Sequence, residues 1–448
     1  MHRLPAFPTA AFVSILLPAL AQASPAMDCH VGAYRLADSS VVDIAPSEGD
    51  TLRWRKFDGT TGALHKGPLH MGDSDNWTST FGWTDRPDGK TVSFSDCAAG
   101  EIRFDGTTGH RIPLDVTDTT FHSRDIDLAG RLVLPKGHGK VPIVVLLHGA
   151  EHDSARDTYS LQRILPAEGV GAFVYDKRGT GASGGKYTQD FELLADDAVT
   201  AMREARRIAG HRAGRIGYQG GSQGGWIAPL AAIRAPVDFV IVSFGLAVSV
   251  IDEDQEEIAL EMRLKGHTPE EITKALEVGD AAEAVIESEF TKGFERFDAV
   301  RAKYRSEPWY KDVHGNYTWA LLPYSADELR EKGKAYIWGT PFRYDPMPTL
   351  RALNTPQLWV LGEDDLEAPS AETRKRLIAL GAEGRPITVA LYPGAEHGMT
   401  EFETRADGER VSTRYSAGYF AMMRDFALTG RLQGPYGSSE ITKPRTTP

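Results

Sequence analysis

The stretch Gly220-Gly221-Ser222-Gln223-Gly224 follows a short apolar run and precedes a helix-compatible segment. A Gly-x-Ser-x-Gly pattern in this context is typical of a sharp turn between a strand and a helix, where the serine has a strained backbone and an exposed hydroxyl. Side chains at Gly220 and Gly224 would collide where the strand folds back onto the helix. The pattern therefore predicts an α/β fold in which Ser222 is the candidate nucleophile.

Short apolar runs, typical of parallel strands covered on both faces, recur on either side of this turn. They lie at residues 141–147, 172–175, 216–218, 239–243, 358–361 and 388–391. The segments between them are helical in pattern, and the clearest one has a single apolar stripe formed by Leu194, Ala198, Ala201, Ala205 and Ile208. This alternation predicts a mostly parallel sheet with helices on both faces.

The composition changes along the chain and predicts further regions around the sheet. Residues 27–118 contain strand-like runs separated by Asp-Gly turns, which predicts a small all-β domain. The sheet itself falls within residues 119–432. A charged helical insertion at about 246–345 is predicted to form a cap over the sheet, and a dimerisation arm fits the same pattern. Residues 433–448 are polar, with Gly and Pro, and are expected to form a flexible tail.

The side chains of the β domain leave two questions open. Its aromatic residues could form a sugar-binding face or fill an ordinary core, and they include Trp54, Trp77, Trp83 and Phe94. The two cysteines of the chain, Cys29 and Cys97, also lie in this domain. In an exported protein they would form one disulfide, whereas two buried free thiols are the alternative.

The first 23 residues have the pattern of a cleavable secretory signal, with a membrane anchor as the alternative. Arg3 gives a positive start, residues 10–20 are apolar but too few to span a bilayer, and Ala21-Gln22-Ala23 is a small-x-small cleavage site. We therefore expect a periplasmic or secreted protein without a membrane span in its mature chain. Removal of Arg3 changes the formal net charge from −12 to −13, which argues against nucleic acid or an anionic membrane as a partner.

A serine hydroxyl is a weak nucleophile and needs a base and an acid that orients the base. His397 follows the apolar run at 388–391 and is flanked by glycines, so it can reach the edge of the sheet at which a parallel strand ends. Asp365 follows the run at 358–361 and is the preferred acid. Its neighbours Asp364 and Glu363 are alternatives for the same role.

The oxyanion formed during such a reaction needs backbone N–H donors. The first candidate is the amide of Gln223, directly after the nucleophile. The second comes from the loop after residue 147, where Ala150 is preferred and Glu151 is the alternative. His148 starts the same loop, and we expect it to be a packed, hydrogen-bonded histidine instead of a second base.

These motifs together resemble the α/β-hydrolase superfamily, in particular exported bacterial esterases and serine-aminopeptidase-like members with an N-terminal β domain and a helical cap. The resemblance covers residues 121 to 432. It is carried, in the order typical of the family, by His148-Gly149, the turn at 176–183, the Ser222 elbow, Asp365 in a Gly-x-x-Asp-x-x-x-Pro context, and His397-Gly398.

The resemblance implies a serine hydrolase that cleaves carboxylic esters through an acyl-enzyme, with a small-molecule ester or peptide-like substrate and with neither cofactor nor metal. A peptidase or aminopeptidase of the same fold is the nearest alternative, and Glu256, Glu257 and Glu261 of the cap are candidates to recognise a peptide terminus. These three glutamates also fit a solvated helix face. A non-catalytic binding module is the alternative from another class.

Overall fold

The computed structural model describes residues 29–67, 75–97 and 99–445 of the 448-residue chain. The predicted signal peptide, residues 1–23, lies outside the described residues. Across the part that is described, no helix combines the length and the apolar character needed to cross a bilayer.

The N-terminal region folds, within its described residues, into a closed barrel of eight antiparallel strands. These strands are β1 (Gly32–Leu36), β2 (Val41–Pro46), β3 (Leu52–Lys56), β4 (Thr61–Lys66), β5 (Asp75–Phe81), β6 (Pro87–Asp96), β7 (Glu101–Phe104) and β8 (Thr107–Arg111). Trp54, Trp77 and Phe94 are buried in the barrel core, so three of the four aromatic residues considered for a sugar-binding face fill its interior. Cys29 and Cys97 form a disulfide with their Cα atoms 5.4 Å apart.

A nine-stranded sheet follows the barrel, in the order β20-β16-β15-β14-β13-β11-β12-β10-β9 within the described chain. Its strands are β9 (Leu114–Ser123), β10 (Ile126–Pro135), β11 (Val141–Leu147), β12 (Gly171–Tyr175), β13 (Ala213–Gly221), β14 (Phe239–Ser243), β15 (Gln357–Gly362), β16 (Ile387–Tyr392) and β20 (Glu440–Thr442). The strands from β12 to β16 pair in parallel, and the outer strands pair antiparallel.

Helices cover both faces of this sheet because successive strand side chains point to opposite sides. Ile143 and Val145 of β11 pack on one side, against α3 (Phe191–Ala209), α4 (Gly224–Arg234), α10 (Met347–Ala352) and α11 (Ser370–Ala382). Val144 and Leu146 pack on the other, against α1 (Ala155–Thr158), α2 (Leu161–Ala167) and α12 (Tyr419–Thr429). The predicted mostly parallel sheet with helices on both faces is confirmed.

The insertion between β14 and β15 is helical, as predicted. It consists of α5 (Val250–Leu264), α6 (Pro269–Glu287), α7 (Phe294–Tyr304), α8 (Thr318–Leu321) and α9 (Ala326–Lys332), followed by short structure up to β15. Its helices share an apolar core of their own that includes Met262, Phe297 and Trp309. The insertion therefore folds as a compact cap, and the first turns of α5 lie beside the loop that follows β15.

The structure corrects three boundaries expected from the sequence. The expected division after residue 118 falls inside β9, which already belongs to the large sheet. The expected flexible tail contains β20, which pairs with the edge of β16 and satisfies backbone groups that an edge strand leaves open. The aromatic spacing of residues 413–428 predicts a helix over that whole range, but residues 413–415 end a strand. They belong to a small sheet of β17 (Ala395–Glu396), β18 (Thr400–Thr404) and β19 (Arg410–Tyr415), which precedes α12.

Candidate active site

The residues predicted to do chemistry all follow strands that end at one edge of the large sheet. Ser222 comes directly after β13, Asp365 lies three residues after the end of β15, and His397 lies five residues after the end of β16. These strands run in parallel, so their carboxyl ends share one edge, where open α/β sheets bind ligands. The sheet topology therefore gathers three segments that are far apart in sequence.

The turn at Ser222 has the strained geometry that the sequence predicts. Its φ is +50°, a left-handed value that a non-glycine residue adopts at a cost. A Cβ atom at Gly220 would lie 2.2 Å from the carbonyl oxygen of Gly224, and one at Gly224 would lie 3.0 Å from that of His148. The glycines thus allow the strand to fold back tightly and bring the elbow against the loop that begins at His148.

His397 and Asp365 form a direct pair. The Nδ1 atom of His397 lies 3.0 Å from Oδ2 and 3.2 Å from Oδ1 of Asp365, which is buried and also accepts a hydrogen bond from the Ala368 amide at 2.8 Å. Asp364 instead accepts the amide of Gly394 at 3.0 Å. The carboxylate that contacts the imidazole is therefore Asp365, while Asp364 links two loops.

The surroundings of His397 favour its charged form. Burial by itself lowers the pKa of this imidazole, but the carboxylates of Asp365, Glu367 and Glu396 together outweigh burial and raise the pKa to about 9. The Nε2 atom of His397 lies 3.6 Å from Oε1 of Glu367. Glu367 was not singled out from the sequence, although it stands only two residues after Asp365.

No direct hydrogen bond joins Ser222 to His397 among the described residues, and Phe244 lies beside both His397 and Gly221. The Phe244 ring lies 4.8 Å, centroid to centroid, from the His397 ring, and its Cζ atom would be 2.7 Å from a Cβ atom at Gly221. Phe244 itself has a φ of +42°. Catalytic hydrogen bonds are often longer without substrate and tighten when it binds.

The predicted oxyanion donors lie on the two segments that meet at the elbow. Neither the amide of Gln223 nor that of Ala150 donates to an acceptor within the described parts of the chain. The carboxylate of Glu151 folds back and accepts the Gly149 amide at 3.2 Å and the Tyr159 hydroxyl. Glu151 thereby ties the start of the loop together, and the residue between, Ala150, is exposed.

His148 is packed and hydrogen-bonded, as the sequence led us to expect. Its Nε2 atom lies 3.0 Å from the carbonyl oxygen of Tyr175 and 3.2 Å from the amide of Lys177. Burial and the Lys177 ammonium group lower the pKa of His148 to about 4. Burial also lowers the pKa of Lys177 itself, to about 8, and its Nζ donates to the Gly149 carbonyl at 2.7 Å.

The first turns of α5 bring a buried acid to the site that the sequence did not single out. Glu253 is only 7% exposed, and no side chain or backbone group among the described residues donates a hydrogen bond to its carboxylate. Burial, together with the negative charges of Glu257 and Glu367, raises its pKa well above the ordinary value. The negative charge of Asp365 contributes in the same direction, so Glu253 lies within electrostatic reach of the loop that follows β15.

The cap glutamates named from the sequence do not form a solvated face. Glu257 is buried, and its carboxylate lies 3.1 Å from Nδ1 of His314, which lies 2.9 Å from Glu261. Hydrogen bonds from the imidazole to both carboxylates raise the pKa of His314 to about 10, whereas burial raises the pKa of Glu257 to about 7. Burial also raises the pKa of Glu256 to about 7. The interpretation as a solvated face fails because residues after α7 fold back over α5.

The parallel sheet, the serine elbow and the histidine–aspartate pair at one sheet edge define an α/β hydrolase. Residues 140–405 match the family described as Serine aminopeptidase, S33, which covers more than half of the chain. This chain belongs to that family of α/β hydrolases.

Individual relatives include esterases and peptidases. The chain is 27% identical over 149 residues to Esterase EstD of Thermotoga maritima, across 30% of this chain and 35% of the esterase, so it spans about a third of that curated relative. Among solved structures, an esterase of Pyrococcus furiosus has 15% identity and a TM-score of 0.39, with 63% of this chain and 84% of the other covered. A proline iminopeptidase of Mycobacterium smegmatis has 17% identity and a TM-score of 0.39, with 63% and 91% covered.

Proposed function

We propose that this hydrolase cleaves carboxylic esters through an acyl-enzyme formed on Ser222. The proposal rests above all on the contact of 3.0 Å between His397 and Asp365 at the same sheet edge as the strained Ser222 elbow. A serine needs this kind of oriented base to become a nucleophile at neutral pH.

In the proposed reaction Ser222 Oγ attacks the ester carbonyl carbon while His397 Nε2 takes the hydroxyl proton. The carbonyl oxygen becomes an anion and receives hydrogen bonds from the amides of Gln223 and Ala150. When the bond to the alcohol breaks, His397 returns its proton to the leaving oxygen. A water molecule then attacks the acyl-enzyme by the same steps, and Asp365 holds the imidazole and stabilises its charge throughout.

The test combines a serine-directed probe with a substrate panel. A fluorophosphonate should label the native protein and fail to label Ser222→Ala, and esters of increasing chain length should reveal the preferred acyl group. Retention of most of the esterase activity by Ser222→Ala would rule out the mechanism. A native protein that neither reacts with the probe nor hydrolyses any ester would favour the non-catalytic binding module.

A second candidate function, an aminopeptidase, is favoured by one observation. The buried carboxylate of Glu253 lacks a cationic partner among the described residues and lies near Glu367 and Asp365. A buried acid of this kind is stabilised by a positive ligand, such as the ammonium group of a peptide N-terminus. Aminoacyl anilides tested beside esters would decide between the two functions, because Glu253→Gln should raise KM for the free-amine substrates and spare the neutral esters.

We also propose that the protein works in the periplasm or outside the cell. The signal-like pattern of residues 1–23 and the disulfide between Cys29 and Cys97 support this location, since disulfides persist in oxidising compartments. Fractionation of cells that express the full chain, with N-terminal sequencing of the recovered protein, tests it. An intact N-terminus in the cytoplasmic fraction would contradict the proposal.

A further inference from the structure

The loop that carries His397 continues into the small three-stranded sheet. Glu396, the last residue of β17, precedes His397, and its Oε1 atom accepts a hydrogen bond of 2.6 Å from the Ser412 hydroxyl on β19. The Ser412 hydroxyl also lies 2.9 Å from that of Thr400 on β18. The histidine loop is therefore tied to β19 through side chains as well as through the strand ladder.

Strand β19 is in turn held by the backbone of the N-terminal barrel. The amide of Trp83, in the turn between β5 and β6, donates to the carbonyl of Ser412 at 2.9 Å. The amide of Tyr415 donates to the carbonyl of Gly59, in the turn between β3 and β4, also at 2.9 Å. Two barrel turns thus bracket the strand whose Ser412 contacts Glu396.

Glycines make this close approach possible. Gly59 has a φ of +94°, and a Cβ atom there would lie 2.3 Å from the carbonyl oxygen of Tyr415. Gly82 has a φ of +56°, and a Cβ atom there would lie 2.4 Å from the carbonyl oxygen of Thr413. A contact this short with backbone requires a shift of one of the two segments.

Charged side chains strengthen the same contact. Arg86 makes a two-point contact with Glu403 of β18, at 3.0 and 2.9 Å. The buried Arg53 donates to the Gly82 carbonyl at 2.7 Å and lies 4.2 Å above the Trp83 ring. Arg414 of β19 donates to the Asp58 carbonyl at 2.7 Å.

We infer that the barrel is a positioning domain for the catalytic histidine, acting through β19 and Ser412. The inference rests on the proposed function, in which His397 is the base. Gly59, Gly82 and Ser412 are positioning residues, since none of them is assigned contact with the reacting atoms. A displacement of about 1 Å at a catalytic group can cost about 100-fold in rate, so a modest shift of β19 is enough to be measured.

The test uses alanine substitutions with matched strain. Gly59→Ala and Gly82→Ala push β19. Gly89→Ala, within β6, and Gly106→Ala, in the turn between β7 and β8, place alanine at φ values of +77° and +79° with nothing within 4 Å of the new atom. We expect kcat to fall at least tenfold in the first pair and less than twofold in the second, with KM little changed in either. The pH profile of kcat/KM should also move to lower pH in the first pair, because His397 leaves its carboxylate neighbours.

A second pair of variants, Ser412→Ala and Thr429→Ala, disturbs the backbone less and tests the inference if the glycine variants do not fold. Ser412→Ala removes the hydrogen bond to Glu396 and should lower kcat severalfold and displace the pH profile of kcat/KM. Thr429→Ala is the control, because its hydroxyl bonds only to backbone at the end of α12, away from β19. Equal kcat values and pH profiles for Gly82→Ala and Gly106→Ala, or for Ser412→Ala and Thr429→Ala, would overturn the inference. Activity that survives Ser222→Ala would instead overturn the proposed function, so the two failures are distinct.

Discussion

Two segments that follow parallel strands of this molecule contain the same dipeptide at the same edge of the sheet. His148-Gly149 follows β11 and His397-Gly398 follows β16, both at the carboxyl edge of the parallel sheet. The first histidine lies beside a buried lysine and has its pKa lowered to about 4, and the second lies among carboxylates and has its pKa raised to about 9. Charge and burial around a histidine, more than its local sequence, therefore set its pKa.

The largest expected effect comes from replacing each histidine by asparagine. His397→Asn should lower kcat by a factor on the order of 10⁴ to 10⁶, because Ser222 loses its base. His148→Asn should change kcat of the folded protein by less than about tenfold and instead lower the free energy of unfolding by about 1–3 kcal/mol, the cost of disturbing buried hydrogen bonds. Steady-state kinetics, normalised to folded protein by circular dichroism, measures both. Equal losses of kcat in the two variants would contradict the assignment of different roles to His148 and His397.

The acid behind His397 gives the next effect. Asp365→Asn should lower kcat by about 10⁴, because an amide neither fixes the required tautomer nor stabilises the imidazolium. Asp364→Asn is the matched control and should lower kcat by less than about tenfold, since Asp364 bonds the Gly394 amide and not the imidazole. If the two variants exchanged these outcomes, the catalytic acid would be Asp364.

The raised pKa of His397 predicts an alkaline pH profile. Only the neutral imidazole accepts a proton, so kcat/KM should rise with pH and level off above about 9. Glu367→Gln removes one of the charges that raise this pKa, and it should shift the rising limb to lower pH and increase kcat/KM at pH 7. Glu383→Gln, an exposed change at the end of α11, is the control and should leave the profile in place. A profile that is the same in all three proteins would show that Glu367 does not act on His397.

The smallest effect is on stability, and the two histidines should act with opposite sign. The folded-state pKa of His148 lies below its unfolded value of about 6.5, so its contribution is complete above that pH and is lost as pH falls toward 4. The folded-state pKa of His397 lies above the unfolded value, so its contribution is present below about 6.5 and is lost as pH rises through 9. The free energy of unfolding, measured with urea from pH 4 to 10, should depend less on pH below about 6.5 in His148→Asn and less on pH above about 6.5 in His397→Asn. If both variants lost the pH dependence in the same pH range, the two histidine pKa values would not be shifted in opposite directions.

The sequence predicted the main sheet well because its strands are buried on both faces and therefore read as continuous apolar runs. It missed β20 and misread β19 as the start of a helix. Residues 440–442 form a strand because the edge of β16 is open to them. The aromatic spacing of residues 413–428 fits a helix, but pairing with β18 and hydrogen bonds to the barrel hold residues 410–415 extended. Edge pairing of this kind depends on distant segments, which local pattern does not report.

The sequence by itself determined the elbow at Ser222, because glycine is required wherever a side chain has no room, and it placed Asp365 and His397 after strand ends. It determined neither Glu253 nor Glu367 as neighbours of the site, nor the barrel contacts with β19. Those features depend on where α5 and the barrel turns lie against the sheet. Only the tertiary structure decides this, because long-range packing brings charges and backbone groups together without leaving a local pattern in the chain.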